Sequence, residues 1–196
     1  MQDIDPKWVL QAQKGDPQAF THLVEAYQKP VYNLCYRMLG NAEDAEDSAQ
    51  ETFLRAYRSM KRYDSSRPFS TWLLYIAAHH CIDQIRRRRM AIVSIEDLPV
   101  PDVPDPSPGL ETSLGKSQER ERLREVLDTL DPVERAAVVM YYWYDFSYEE
   151  ICQSLSLTIS ALKSRMHRAR RSMAQEWNKR TVEVPEERVP YESPSL

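Results

Sequence analysis

The sequence predicts an all-α protein of two small helical domains joined by a flexible linker, and three observations carry that prediction. Apolar residues recur at intervals of three and four through most of the chain, with no convincing alternating strand. Helix-start signals repeat: Asp16-Pro17 and Asp131-Pro132 each set an N-cap acid before a first-turn proline, and Ser147 with Glu150 forms a capping box. Between Ile95 and Ser117 the periodicity stops, and Pro99, Pro101, Pro104, Pro106 and Pro108 sit among Asp102, Asp105 and Glu111. No core can form there, and the stretch reads as an extended, semi-stiff acidic linker. The resulting division is a first domain over 1–90, a linker over 91–117, a second domain over 118–180 and an acidic, proline-bearing tail over 181–196, expected to be disordered.

The first helix opens at Asp16-Pro17 and runs toward Gly40 through Phe20, Leu23, Val24, Tyr27, Val31, Leu34, Cys35 and Met38, with Pro30 expected to kink or interrupt it. After the Gly40-Asn41 stop, a helix from Ala42 to about Met60 carries Glu43, Asp44, Glu46 and Asp47 first and Arg55, Arg58, Lys61 and Arg62 last, which suits the helix dipole at both ends. A polar loop, Tyr63 to Pro68, leads to a helix from about Ser70 to Arg89, rich in Trp72, Leu73, Leu74, Tyr75, Ile76, Ile82 and Ile85. Helices resume near Gln118 and again at Asp131-Pro132. The capping box then starts a helix near Tyr148 with Ile151 and Leu155 on its inner face. Thr158 caps the last helix, where Ile159, Leu162, Met166 and Ala169 continue an apolar stripe.

Composition narrows the function classes. The 196 residues carry a net charge of −4, so attraction to nucleic acid must come from local patches rather than from the whole molecule. No apolar run approaches the roughly 20 residues that span a bilayer, and the MQDIDPKWVL start lacks signal-peptide features, which predicts a cytoplasmic protein without membrane insertion. Cys35, Cys81 and Cys152 are widely separated on apolar helix faces and read as buried free thiols. His79, His80 and Cys81 are adjacent and so point to different helix faces, which predicts no metal site, and nothing in the chain implies a cofactor.

Two segments point to DNA. From Ser147 to Ser172 a short acidic helix, a tight turn and a basic helix follow one another as in a helix-turn-helix, with Lys163, Ser164, Arg165, His167, Arg168, Arg170 and Arg171 off the apolar stripe. Paired amphipathic helices also occur in many all-helical proteins; the capping at both starts and the confinement of cations to the second helix favour duplex DNA. In the first domain, Arg67, Trp72, Tyr75 and His79 precede Arg86, Arg87, Arg88 and Arg89. Rings that stack on bases beside guanidiniums that meet phosphates suit single-stranded DNA, although Trp72, Leu73 and Ile76 at helical spacing also fit a core.

Taken together, KGDPQAFTHLVEAYQKPVYNLCYRML, the DAEDSAQETFLRAYRSMKRYDSSRPFSTWLLYIAAHHCIDQIRRRR stretch and LDTLDPVERAAVVMYYWYDFSYEEICQSLSLTISALKSRMHRARRSM resemble bacterial RNA polymerase sigma factors of the sigma-70 superfamily, in the extracytoplasmic-function (ECF) group. The likeness covers residues 8 to 177 outside the linker, the first two segments resembling region 2 and the third region 4. It implies a non-enzymatic protein that binds the β and β′ subunits of core polymerase, recognises −35 and −10 promoter elements, promotes melting and is held by an anti-sigma factor. By position, Asp47, Gln50, Glu51, Phe53, Arg55 and Ala56 are implied in polymerase contact, although Phe53 and Leu54 are also expected in the core. The Asp64 to Phe69 loop with Arg67, Trp72, Tyr75, His79 and Arg86 to Arg89 is implied in −10 binding. His79 stands where the family often has Asn.

For the −35 element the resemblance implies Lys163, Ser164, His167 and Arg168 at base edges, and Arg165, Arg170 and Arg171 at phosphates. This chain has Ser160-Ala161-Leu162 where the family typically has Gly-Thr-Val, and Ser156 where the turn often has Gly. Two other classes compete. A stand-alone helix-turn-helix regulator leaves Asp44 to Met60 and Arg86 to Arg89 unexplained, and a nuclease would need Asp44, Glu46 and Asp47 on one side of a helix, where dipole compensation already accounts for them.

Overall fold

A computed structural model describes the backbone of residues 4–95 and 114–181, and side chains from 4 to 91 and 119 to 179. The described residues are helical throughout: α1 (Pro6–Gln13), α2 (Pro17–Leu39), α3 (Ala42–Ser59), a 3₁₀ turn (Met60–Arg62), α4 (Phe69–Ile95), α5 (Leu114–Asp128), α6 (Pro132–Tyr144), α7 (Tyr148–Leu155) and α8 (Ile159–Thr181). Most of the linker and the tail lie outside the described residues, and the expectations for them rest on sequence alone.

The caps form as their residues dictate. Asp16 Oδ1 accepts from the Gln18 and Ala19 amides at 2.9 and 3.3 Å, and Asp131 Oδ1 accepts from Val133 N at 3.0 Å. Asp5 does the same for α1 through Lys7 N, and that helix was not anticipated. Pro30 does not interrupt α2, which runs unbroken to a C-cap at Gly40, φ 82°. Glycine takes this left-handed conformation without steric cost.

In the first four helices, α2 packs on α3 and α4 around Leu23, Val31, Leu34, Cys35, Met38, Leu73, Leu74 and Ala77, all essentially inaccessible. In the last four, α6 is the central member: Ala136 to Met140 are buried without a break, with Ile151, Leu155, Leu162, Met166 and Ala169 packed around them. Such burial contributes on the order of 25 cal/mol per Å² of apolar area and is the main drive for both assemblies.

The two halves lie against each other rather than apart on a tether. The Arg135 side chain, from a residue 4% exposed, donates to Met38 O at 2.7 Å and to Asp128 Oδ1 at 2.6 Å. Arg124 Nη1 donates to Gly40 O at 3.0 Å, Tyr144 Oη to Pro30 O at 2.6 Å, and Arg89 Nη2 to Leu130 O at 3.2 Å. Arg37 lies over the Trp143 ring at 5.1 Å, close enough for a cation–π contact. Burial lowers the Arg135 pKa despite its Asp128 partner and pushes the Tyr144 hydroxyl well up.

Candidate nucleic-acid and polymerase interfaces

The helix-turn-helix is assembled by local chemistry. Ser147 Oγ accepts from Glu150 N at 3.2 Å while Glu150 Oε2 accepts from Ser147 N at 2.8 Å, closing the predicted box. Ser156 ends α7 in the left-handed conformation, φ 53°, so the turn needs no glycine there but holds a strained serine. Thr158 Oγ1 accepts from Ala161 N at 3.2 Å to start α8. Leu162, Met166 and Ala169 of α8 are then buried, which turns Lys163, Ser164, His167, Arg168 and Arg171 outward and leaves Arg165 half-buried.

Two of these cations are held by acids at the start of α6. Arg168 Nε and Nη2 donate to Glu134 Oε1 at 3.1 and 2.9 Å, and Arg165 Nη1 lies 3.7 Å from Asp131 Oδ1. The sequence marks Asp131 only as an N-cap and does not single out Glu134. The only signal at Glu134 is its position, in a first turn where acids are common for dipole reasons. Arg170, expected on a phosphate, is drawn back instead: Nε donates to Tyr142 Oη at 3.1 Å and Nη2 to Tyr148 Oη at 3.4 Å.

On the first half, Tyr63, Phe69 and Trp72 form a ring cluster with centroids 5.0 to 5.6 Å apart, fixing the loop that carries Arg67. Trp72 is partly buried against the core, Leu73 fully so, while Arg67 and Tyr75 are exposed. The His79 ring lies tilted against Tyr75 with centroids 4.3 Å apart, and its Nδ1 is 3.2 Å from Tyr75 O. All four arginines are exposed; Arg88 pairs with Asp44 and Arg89 donates to Leu130 O, which leaves Arg86 and Arg87 better suited to phosphates. Across a cleft of about 240 Å³, Arg67, Pro68, Thr71, Trp72 and Tyr75 face Glu150, Gln153 and Ser154 of α7.

The α3 surface corrects two expectations. Ala56, expected in polymerase contact, is fully buried among the α2 and α4 packing and cannot touch a partner. Leu54, expected in the core, is 51% exposed, and Tyr57 beside it is 49% exposed. Asp47 and Gln50 are exposed, Phe53 is half-buried, and Arg55 Nε donates to Glu51 Oε1 at 2.7 Å. Glu46, Gln50 and Phe53 line a broad groove of about 640 Å³ with Val24, Gln28 and Tyr32 of α2. Among the described residues no cluster of three or more metal-ligating side chains occurs, and no helix is long and apolar enough to cross a membrane.

Comparison with known proteins defines the class. Residues 23–90 match the family described as Sigma-70 region 2, and residues 120–173 match Sigma-70, region 4. The ECF RNA polymerase sigma factor SigW of Bacillus subtilis (strain 168) is 34% identical over 184 residues, covering 88% of this chain and 96% of that protein. SigE of Mycolicibacterium smegmatis, also named an ECF RNA polymerase sigma factor, is 37% identical over 157 residues, covering 79% of this chain and 60% of that protein. The chain belongs to the ECF group of the sigma-70 family. In fold it is similar to CnrH in its complex with the cytosolic domain of CnrY, with TM-score 0.66, 24% identity and coverage of 90% of this chain and 99% of that one. It is also similar to RpoE of Bartonella quintana in its complex with the anti-sigma factor NepR, with TM-score 0.65, 20% identity and coverage of 81% and 96%.

Proposed function

We propose that this chain directs RNA polymerase to promoters: one half binds core enzyme and captures melted −10 DNA, and the other reads the −35 duplex. It performs no covalent chemistry itself and works in the cytoplasm. The carrying observation is the geometry of α8, where burial of Leu162, Met166 and Ala169 turns Lys163, Ser164, His167 and Arg168 outward from a capped, two-helix platform. A helix so mounted can enter a major groove, and Lys or Arg on guanine edges contributes on the order of 1 to 3 kcal/mol of discrimination per good pair.

Polymerase contact falls to the outer face of α3, through Asp47, Gln50, Glu51, Phe53 and Arg55, extended by Leu54 and Tyr57. Exposed apolar side chains on a groove suit docking of a helical partner. The −10 element falls to Arg67, Trp72, Tyr75 and His79, with Arg86 and Arg87 on phosphates; trapping an unstacked base repays the few kcal/mol of flipping it. Because α7 faces that loop across the narrow cleft, capture of the −10 strand requires the halves to part. An anti-sigma factor that holds the halves together would keep the protein inactive.

The test is promoter-specific run-off transcription by purified core polymerase, with and without the chain, on a pool of upstream regions. Transcripts that appear only with the chain establish the function, and K163A should abolish them at −35-dependent promoters. Duplex binding without any effect on initiation would establish a stand-alone regulator instead.

A further inference from the structure

We propose that Glu134 is the positioning residue for Arg168, and that through this contact it sets a guanine preference at one position of the −35 element. The inference rests on the −35 reading of α8. A guanidinium carries five N–H donors in a fixed fork. Here Nε–H and one Nη2–H converge on a single oxygen, Glu134 Oε1, at 3.1 and 2.9 Å. Both N–H groups of Nη1 and the second of Nη2 remain. One from each Nη points off the end of the side chain, and these two are the parallel donors that match O6 and N7 of guanine.

The two partners are unequally fixed, which assigns their roles. The Arg168 side chain is 58% exposed and the Glu134 side chain only 12%. Glu134 stands in the first turn of α6, where free backbone N–H groups favour a negative charge, and α6 is anchored by the Asp131 cap and by burial from Arg135 to Met140. The acid is thus a rigid mount and the arginine the part that reaches out. Without the mount, a long side chain samples many rotamers and aims its fork at no particular base edge. A carboxylate beside DNA also repels phosphates, so Glu134 lowers affinity for every sequence alike while its hold on Arg168 sharpens discrimination.

The experiment uses the full chain with core polymerase on a promoter set carrying each base at each −35 position, comparing E134A, E134Q and R168A by run-off yield. The parent should prefer guanine at one position on the order of tenfold, the range of a good bidentate pair. R168A should abolish that preference, and E134A should reduce it severalfold. E134Q should keep most of it, since the amide oxygen still accepts both N–H groups. Loss of charge alone would move E134A and E134Q together, so equal loss in both overturns the proposal. So does a preference that E134A retains and R168A loses. A preference that survives R168A, or none in the parent, refutes base reading by Arg168 and the proposal with it. Thermal unfolding is run on every variant, and E134S, too short to reach Arg168, replaces E134A if the latter does not fold.

Discussion

At the scale of single residues, two groups on α4, one buried and one partly so, make the clearest predictions. Cys81 and Cys35 face each other inside the first half, and the hydrogen bond between them, reinforced by burial, holds the Cys81 thiol well above its ordinary range. A neutral, enclosed thiol is a poor nucleophile. In folded protein at pH 8, Cys81 should therefore resist iodoacetamide for hours while reacting within minutes in 6 M guanidinium, as read by peptide mass. Burial also lowers the pKa of His80, with Arg55 adding to the effect. The folded state then prefers the neutral imidazole, so the contribution is intact above the unfolded value of about 6.5 and is lost as pH falls below it. H80Q should flatten the decline in urea midpoint between pH 6.5 and 5, modestly, because the ring is only partly buried.

At the scale of elements, α7 and α8 were readable because their ends are set by neighbours in sequence: Ser147 with Glu150, and Thr158 with Ala161. The α1 helix carries the same signal, Asp5 before Pro6, but it buries only Val9 and Ala12, too sparse an apolar pattern to stand out. Hydrophobicity misleads at two positions of α3, Leu54 and Ala56. Its buried face is Ala45, Ser48, Ala49, Thr52 and Ala56, small side chains that let α2 and α4 approach closely, while Leu54 and Tyr57 look outward and Phe53 is half-buried at the edge. Hydrophobicity ranks those two faces in the wrong order; only the packing partners reveal which is which. The turn between α7 and α8 holds Ser156 in a conformation that costs an L-residue on the order of 1 kcal/mol. S156G should raise stability by about 0.5 to 1 kcal/mol, measured as a higher urea midpoint with unchanged slope. An unchanged or lower midpoint would show that the strain is relieved elsewhere.

At the scale of the whole molecule, nothing local in the sequence announced that the halves pack together, because the contacts join residues about 40 to 115 positions apart. Two helical domains and a helix-turn-helix were legible from periodicity and caps. The apposition of α7 to the Arg67 loop was not. R135A removes the buried guanidinium that joins α6 to the end of α2 and leaves Met38 O without that donor, a loss on the order of 1 to 3 kcal/mol at a buried site. If that contact keeps α7 over the loop, R135A should raise the affinity of the isolated chain for a fluorescent −10 single strand, read by anisotropy. Equal affinity in parent and variant would mean that α7 leaves the loop accessible.

The bonds from Arg89, Arg124, Arg135 and Tyr144 share one property: every acceptor across the seam is a main-chain carbonyl, at Leu130, Gly40, Met38 and Pro30. A carbonyl is present whatever residue bears it. These bonds therefore place no demand of their own on the side chains at the acceptor positions, and no second-site change there can compensate for a lost donor. Pairwise covariation across many descendants of this chain would be nearly silent at these four bonds, and a map of the seam drawn from correlated substitutions would miss them.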